Sequence, residues 1–421
     1  SGHRRGGPAQ TAVIASGFMG SISGSSVSNV VTTGAFTIPL MKRTGYKAEY
    51  AGAVEAVAST GGQIMPPVMG ASAFVMADML GIPYYRVALA AVIPALLYFL
   101  SVGFMVSFRA AKEGLAGVDK SELPSIRALL ADGYYVIIPF IALIYFLFIR
   151  MLSPMRAGIY TIFVLVAVSL AWTWIRERRI MGRELWDALV NGTRIAVPVA
   201  MACASAGIVI GIVSLTGLGV RFTQMIVSLS GGHLFLALLL TMFACLILGM
   251  GLPTTAAYII TSVLAVPALV SMGVPKISAH LFILYFAIIS FITPPVAISA
   301  FAAAGVAGSD SMRTGFAAFR LGIAGFIVPF MFVYGPSLVF VGVWWRIALN
   351  SIEAIAGVAL LAGFVEGWFY GRRLPWVPRL LLGTAAIFFI FPRVWAGVIG
   401  IALLAIPYGA IRFVRVPSTS A

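Results

Sequence analysis

The sequence predicts an all-α polytopic membrane protein made of two inverted repeats, each holding a re-entrant hairpin and a broken transmembrane helix. Three observations carry that prediction. First, 61% of the 421 residues are hydrophobic and 10% are charged, too little polar surface to cover a water-soluble globule. Second, the apolar runs are interrupted twice in the same manner. Gly24-Ser25-Ser26-Val27-Ser28-Asn29 and the break Gly61-Gly62-Gln63-Ile64-Met65-Pro66-Pro67 return as Gly251-Leu252-Pro253-Thr254-Thr255 and Thr293-Pro294-Pro295. Pro39 and Pro267, Gly45 and Gly273, Pro66 and Pro294, and Pro67 and Pro295 all stand 228 positions apart. Third, the basic residues behind the net charge of +15 come in short bursts between apolar runs, as topology signals do and as a nucleic-acid-binding surface does not.

The elements follow in order. The regions 12–41 and 233–272 are each long enough to enter and return, with their polar break in the middle, and read as re-entrant hairpins. The regions 51–80 and 280–308 read as single crossings broken halfway. Simple spans are expected at 87–108, 133–149, 155–175 and 195–216, and again at 321–341, 352–370, 376–391 and 394–411. The charge-poor stretch 218–232 is expected to be an interfacial helix. On this map the clusters Arg4 and Arg5; Lys42, Arg43 and Lys47; Arg109, Lys112, Lys120 and Arg127; Arg176 to Arg183; Arg313 and Arg320; Arg372 and Arg373; and Arg412 and Arg415 fall on one face, the cytoplasmic one. Four simple crossings then separate the broken ones, which makes the repeats inverted. The expected division is a first repeat at 1–86, connecting spans at 87–232, a second repeat at 233–312 and C-terminal spans at 313–421. The first repeat begins almost at the amino terminus, so further spans are expected upstream.

Paired interruptions in two halves of a membrane protein point to a transported substrate or ion. Hydroxyl and carbonyl oxygens beside an unwound turn are hard ligands for Na⁺, while helix N-termini favour an anion. Ser25, Ser26, Ser28 and Asn29 are placed to face Gly61, Gly62 and Gln63, and Thr254 and Thr255 to face Thr293, giving two quasi-symmetric ion sites with substrate between them. The bland alternative is that Gly and Pro kink the helices and that Ser and Thr bond back to their own backbone. Glu55, Asp78 and Asp310 offer proton or cation coupling, although their positions near expected membrane boundaries suit solvated carboxylates better. Arg86 and Arg320 suit either a substrate carboxylate or snorkelling. Cys203 and Cys245 lie in apolar runs as small buried hydrophobes. No zinc motif, phosphate-binding loop or convincing nucleophile and base pair appears, so no catalytic residue is assigned.

The runs Gly20 to Gly70, Leu248 to Thr255 and Ile292 to Val296 closely resemble the large membrane subunit of tripartite ATP-independent periplasmic (TRAP) transporters. The wording of the first half and the spans after Trp344 are similar to the fused permeases that work with TAXI-type binding proteins. That resemblance implies an elevator-type fold like that of the ion-transporter superfamily and a Na⁺-driven importer in the bacterial inner membrane. A periplasmic TAXI-type protein would deliver a small carboxylate, and the small-subunit helices would be fused in the missing upstream part. It implies Na⁺ sites at Ser25, Ser26, Asn29, Gly61, Gly62 and Met65, and at Gly251, Thr254, Thr255, Thr293, Pro294 and Val296. Substrate would lie among Ser28, Gln63, Pro66, Pro253 and Pro295. The competing readings are a stand-alone Na⁺/dicarboxylate symporter or ion antiporter and, more remotely, a non-transporting membrane scaffold or intramembrane enzyme.

Overall fold

A computed structural model describes residues 5–118, 126–178, 182–369 and 371–390, with positions 397, 399–400 and 402–403 beyond them. Its first helix, α1 (Gly7–Ser23), stops at Gly24, whose φ of 65° needs no Cβ and whose N–H closes the last turn on Gly20 O. Ser25 is extended, and its Oγ accepts the Ser28 N–H to start α2 (Ser26–Arg43), so a two-residue tip reverses the chain into a helical hairpin. α3 (Ala48–Gly62) then breaks. The carbonyls of Gly61 and Gly62 accept turn bonds from Ile64 and Met65, and Gly70 N–H closes the loop on Gln63 O before α4 (Ala71–Leu80). α5 (Tyr84–Glu113) follows as a long apolar helix.

The same order of elements returns downstream. α10 (Leu234–Gly249) and α11 (Thr254–Ser271) form a hairpin through 250–253; α12 (Lys276–Ile289) with the 3-10 turn Ser290–Ile292 breaks before α13 (Ile298–Ala307). Both Pro66-Pro67 and Pro294-Pro295 are cis. Between the halves lie α6 (Ile126–Ile144), a π-helical turn Tyr145–Ile149, α7 (Pro154–Glu177), α8 (Gly182–Thr216) and α9 (Leu218–Leu229). At 12 residues, α9 is short. Its length of about 18 Å falls well below the roughly 30 Å of a bilayer core. After α13 come α14 (Ser311–Leu321), α15 (Ala324–Tyr334), α16 (Trp344–Glu366), the paired short strands Trp368–Phe369 and Arg372–Arg373, and α17 (Trp376–Ile390).

Among the described residues, six helical stretches are long and apolar enough to cross a membrane: Tyr84–Glu113, Pro154–Arg176, Gly182–Thr216, Thr254–Ser271, Ser311–Tyr334 and Trp344–Glu366. Several differ from the sequence-based spans: Trp344–Glu366 begins eight residues before the expected 352–370, and the helical stretches Tyr135–Ile149 and Trp376–Ile390 are shorter than the six. α8 begins at Gly182 rather than near 195, because Arg183, Glu184, Asp187 and Arg194 interrupt the apolar run without interrupting a helix whose face there is exposed. The span expected at 321–341 is two helices, parted at Gly322 and ending before Gly335-Pro336. A Cβ on Gly322 would meet Ile292 Cδ1 at 2.4 Å, so a residue without one stands where α14 ends against the second break. α11, read as half of a re-entrant hairpin, has the length of a crossing. Most of the span expected at 394–411, and Arg4, Lys120, Arg179, Arg393, Arg412 and Arg415, lie outside the described residues.

The core is an exchange between halves. α3 packs against its own hairpin, α1 and α2, and also against α13; α4 packs against α11 and α12. Glycine makes the closest crossings possible. A Cβ on Gly62 would lie 2.5 Å from Gly20 Cα, and one on Gly61 would lie 2.2 Å from Tyr98 Cε1 of α5. α12 is buried on every side from Ser278 to Ile289, as suits a helix at the centre of a bundle. Helix α16 lies along α5 and α17. Its last carbonyls are capped by basic side chains: Lys112 Nζ donates to Glu366 O at 2.7 Å, and Arg379 Nε to Phe364 O at 2.6 Å. Arg320, a candidate for a substrate carboxylate, instead donates to Val365 O and stands 3.6 Å from the Glu366 carboxylate.

Candidate functional site

The hairpin tips and the helix breaks come together around one region, with partners that differ in part from those expected. The first tip meets the first break: a Cβ on Gly24 would touch Gly70 Cα at 3.3 Å, and Gly20 lies against Gly62. In the second half Gly249 lies against Ser290, whose Oγ is 3.0 Å from where a Gly249 Cβ would be. Thr254, expected to face Thr293, reaches across the molecule, and its hydroxyl donates to Gln63 Oε1 at 2.7 Å. Gln63 is fully buried, and its Nε2 has no hydrogen-bond partner. Thr293 turns its hydroxyl back to Ile289 O at 2.8 Å, which is the bland reading of a helix-breaking threonine.

The other site residues sort by exposure. Ser25, Ser28, Gly251, Pro253 and Pro295 are exposed; Met65, Pro66, Thr254, Pro294 and Val296 are half-buried; Ser26, Asn29, Gly61, Gly62, Gln63, Thr255 and Thr293 are buried. Gly251 holds φ of 78° with no atom near its missing Cβ, so the second tip is open there. Ser26 and Ser299 share a buried hydroxyl bond of 2.6 Å, which ties the first tip to the start of α13. Asn29 Nδ2 donates to Ser16 O at 2.7 Å, holding α2 to α1. Gly61 faces the Tyr98 ring of α5 rather than the tip. Met65 borders a cavity of about 510 Å³ between α1 and α5. The first break is further braced by Tyr84, whose hydroxyl donates to Pro67 O at 3.0 Å and also lies against Val68 O.

Glu55 overturns its reading as a solvated carboxylate. It is completely buried in α3, because α1, α2 and α13 cover a helix that the sequence presents as a lone crossing. Hydroxyls replace water around it. Ser16 and Thr37 donate at 2.5 Å, to Oε1 and Oε2 respectively; Thr33 also donates to Oε1, and Ser59 does so at 3.1 Å. Gly34 leaves room for the side chain, since a Cβ there would stand 3.1 Å from Glu55 Cγ. Asp78 and Asp310 are exposed as expected, Asp310 capping α14 through the Arg313 N–H at 2.8 Å. A signal for the Glu55 cluster was present: Thr33 with Thr37, and Glu55 with Ser59, each stand four apart on one helical face.

A multi-pass helical membrane protein with discontinuous helices meeting at their polar breaks belongs to the class in which such breaks form binding sites. The family model for the tripartite ATP-independent periplasmic transporter, DctM component, matches residues 1–347, and the chain belongs to that family. It is 22% identical over 353 residues to the 2,3-diketo-L-gulonate TRAP transporter large permease protein YiaN of Escherichia coli, covering 82% of this chain and 79% of that one. It is 23% identical over 301 residues to the isethionate TRAP transporter permease protein DctMQ of Oleidesulfovibrio alaskensis, covering 69% of this chain and 45% of that longer one. The family is one of transport permeases, not enzymes, and its members work with a periplasmic binding protein and a small subunit.

Proposed function

We propose that this chain is the large permease of a Na⁺-driven importer for a small organic acid, fed by a periplasmic TAXI-type binding protein and working by an elevator movement in the bacterial inner membrane. The observation that supports it best is the Thr254–Gln63 bond across the two halves, beside a Gln63 amide group that is buried and lacks a partner. An unpaired buried donor costs about 1–3 kcal/mol, and a carboxylate between the tips would satisfy it. The N–H groups that start α11 would add to that attraction. The cargoes named for the two relatives, a diketo-gulonate and isethionate, are both small organic anions.

In this reading Na⁺ moves as co-substrate. One ion binds among Ser25, Ser26, Asn29, Gly61, Gly62 and Met65, the other among Gly251, Thr254, Thr255, Thr293, Pro294 and Val296. A hydroxyl that has given its hydrogen away, as on Thr254 or Thr293, keeps lone pairs for a cation. Substrate sits near Ser28, Gln63, Pro66, Pro253 and Pro295. The repeats at 1–86 and 233–312 are inverted and travel together, against scaffold and connecting spans at 87–232 completed by small-subunit helices fused upstream, with the C-terminal spans at 313–421 following. The test is uptake of labelled carboxylates into liposomes holding the permease, with and without an inward Na⁺ gradient and the binding protein. Uptake that needs both supports the reading. Na⁺-driven uptake indifferent to the binding protein would move it to a stand-alone symporter.

A further inference from the structure

Glu55 touches none of the Na⁺ and substrate residues proposed above, although Ser16 and Thr33 beside it bond to Asn29, and its chemistry asks for a different cation. We propose that Glu55 is a proton-binding site, loaded and unloaded during the working cycle, with Ser16, Thr33, Thr37 and Ser59 as a hydroxyl cage that accepts either state. The carboxyl is fully buried, and the hydrogen bonds it makes all come from hydroxyls. Removing a lone carboxylate from water costs several kcal/mol unless a cation or a set of donors compensates.

No positive side chain does so among the described residues. α3 packs against α1, α2, α5, α12, α13 and α14, of which α1 and α13 carry no charged residue. On the others, Lys42 donates to Ala307 O, Arg109 pairs with Glu113 and stands near Glu366, Lys112 donates to Glu366 O, and Arg320 turns to the end of α16. Arg43, Arg86 and Arg313 are exposed. Tyr98 donates to Val57 O and His280 meets Tyr258 at 2.7 Å, while Lys276, Tyr84 and Tyr285 are likewise not bonded to Glu55. Within α3, neither Glu49 nor Tyr50 bonds to it.

The cage also selects the cation. Its oxygens touch the carboxylate at hydrogen-bond distance, so a proton fits between them and a metal ion would have to spread them. Each threonine has a second acceptor for its one hydrogen: Thr33 Oγ1 lies 2.7 Å from Asn29 O, and Thr37 Oγ1 lies 3.1 Å from Thr33 O. When Glu55 is ionised, the hydroxyls point at it. When it carries a proton, the threonines can turn to the backbone and accept the carboxyl hydrogen instead. Both states are therefore fully hydrogen-bonded without moving a helix. Thr33 also bonds Asn29 O and Ser16 O accepts from Asn29 Nδ2, so the cage adjoins the hairpin tip without Glu55 itself touching a proposed Na⁺ ligand.

The direct test is infrared difference spectroscopy of the purified chain in lipid between acid and alkaline pH, which needs no substrate. A protonated-carboxyl C=O band that titrates in the wild type and disappears in Glu55→Gln is the expected result. Asp78→Asn, an exposed control, should keep the band, and Thr37→Val should shift it by removing the bond to Oε2. In liposomes an acid-outside gradient should raise wild-type uptake severalfold and leave Glu55→Gln uptake unchanged. The proposal fails if no such band titrates in the wild type, if the band persists in Glu55→Gln, or if Glu55→Gln keeps the response to the gradient. The uptake arm rests on the transport reading and the infrared arm does not. If Glu55→Gln does not fold, the wild-type titration and the Thr37→Val shift decide.

Discussion

The two hairpins share a backbone plan but not a chemistry. At the 228-residue offset, Glu55 is answered by Ile283, Ser59 by Ala287 and Thr37 by Ala265; only Thr33 keeps its hydroxyl, as Thr261. Matching Gly20 to Gly249 at the helix crossings sets Cys245, which lies beside Thr261, in the place of Ser16. The first half thus surrounds a carboxylate with hydroxyls where the second has packed hydrocarbon, Ile283 being completely buried. Backbone breaks need only Gly, Pro and short polar residues, which both halves retain. A buried charge needs its whole cage at once, so it occurs in one half or not at all.

Exchanging the chemistry is the strongest way to break this comparison. Ile283→Glu puts a carboxylate among alanines and should cost on the order of several kcal/mol, enough to abolish accumulation of folded protein in membranes. Adding Ala265→Thr and Ala287→Ser to it should restore part of the yield measured by size-exclusion chromatography; no recovery would mean that the cage does not compensate the charge. Next in size, Gly62→Ala forces a Cβ against the Gly20 backbone and should destabilise by about 3 kcal/mol or more, whereas Gly249→Ala meets only a rotatable Ser290 hydroxyl and should cost about 1 kcal/mol. Thermal melting of the two variants in detergent checks the order. If the Gly249 variant melts as low as the Gly62 one, the first crossing is not the tighter.

A smaller effect is expected from the bond between the halves. Thr254→Ala leaves both ends of the Gln63 amide unpaired and should weaken substrate uptake by about tenfold, at a cost of about 1–2 kcal/mol. Thr293→Ala removes a proposed Na⁺ ligand but leaves Gln63 paired, so it should raise the Na⁺ concentration needed for uptake and lower substrate affinity less than Thr254→Ala does; equal losses of substrate affinity in kinetic assays would restore the symmetrical pairing. The smallest effect belongs to the Ser26–Ser299 pair. Either alanine alone should lower stability by about 1 kcal/mol and the double variant by little more, because removing both partners leaves no orphaned hydroxyl. A double-variant loss equal to the sum of the single losses would show that the two hydroxyls act independently.

What could be read from the sequence follows from range. The hairpin tips, the breaks and the short helix α9 are written in Gly, Pro and hydroxyl residues that act locally, and the structure has helix ends at those positions, although α11 is long enough to cross. The extent of α8 was misread because charged residues end an apolar run without ending a helix. The partners of the site residues were harder still. Thr254 meets Gln63, and Ser26 meets Ser299, through contacts between distant segments that leave no periodic trace. Glu55 was misjudged for the same reason: its cover comes from α1, α2 and α13, and a position near the end of a predicted crossing says nothing about neighbours from another part of the chain.

The exchange of α4 and α13 between halves has a consequence in time. At about 5–20 residues per second, synthesis brings out α13 on the order of tens of seconds after α3, and until then α3 lacks one of its neighbours. Contacts of such sequence separation form late and slowly. The nascent first half must therefore wait in the membrane with an uncovered flank, close to the one carboxylate it most needs to shield. The repeat that looks like two modules on paper can mature only as one.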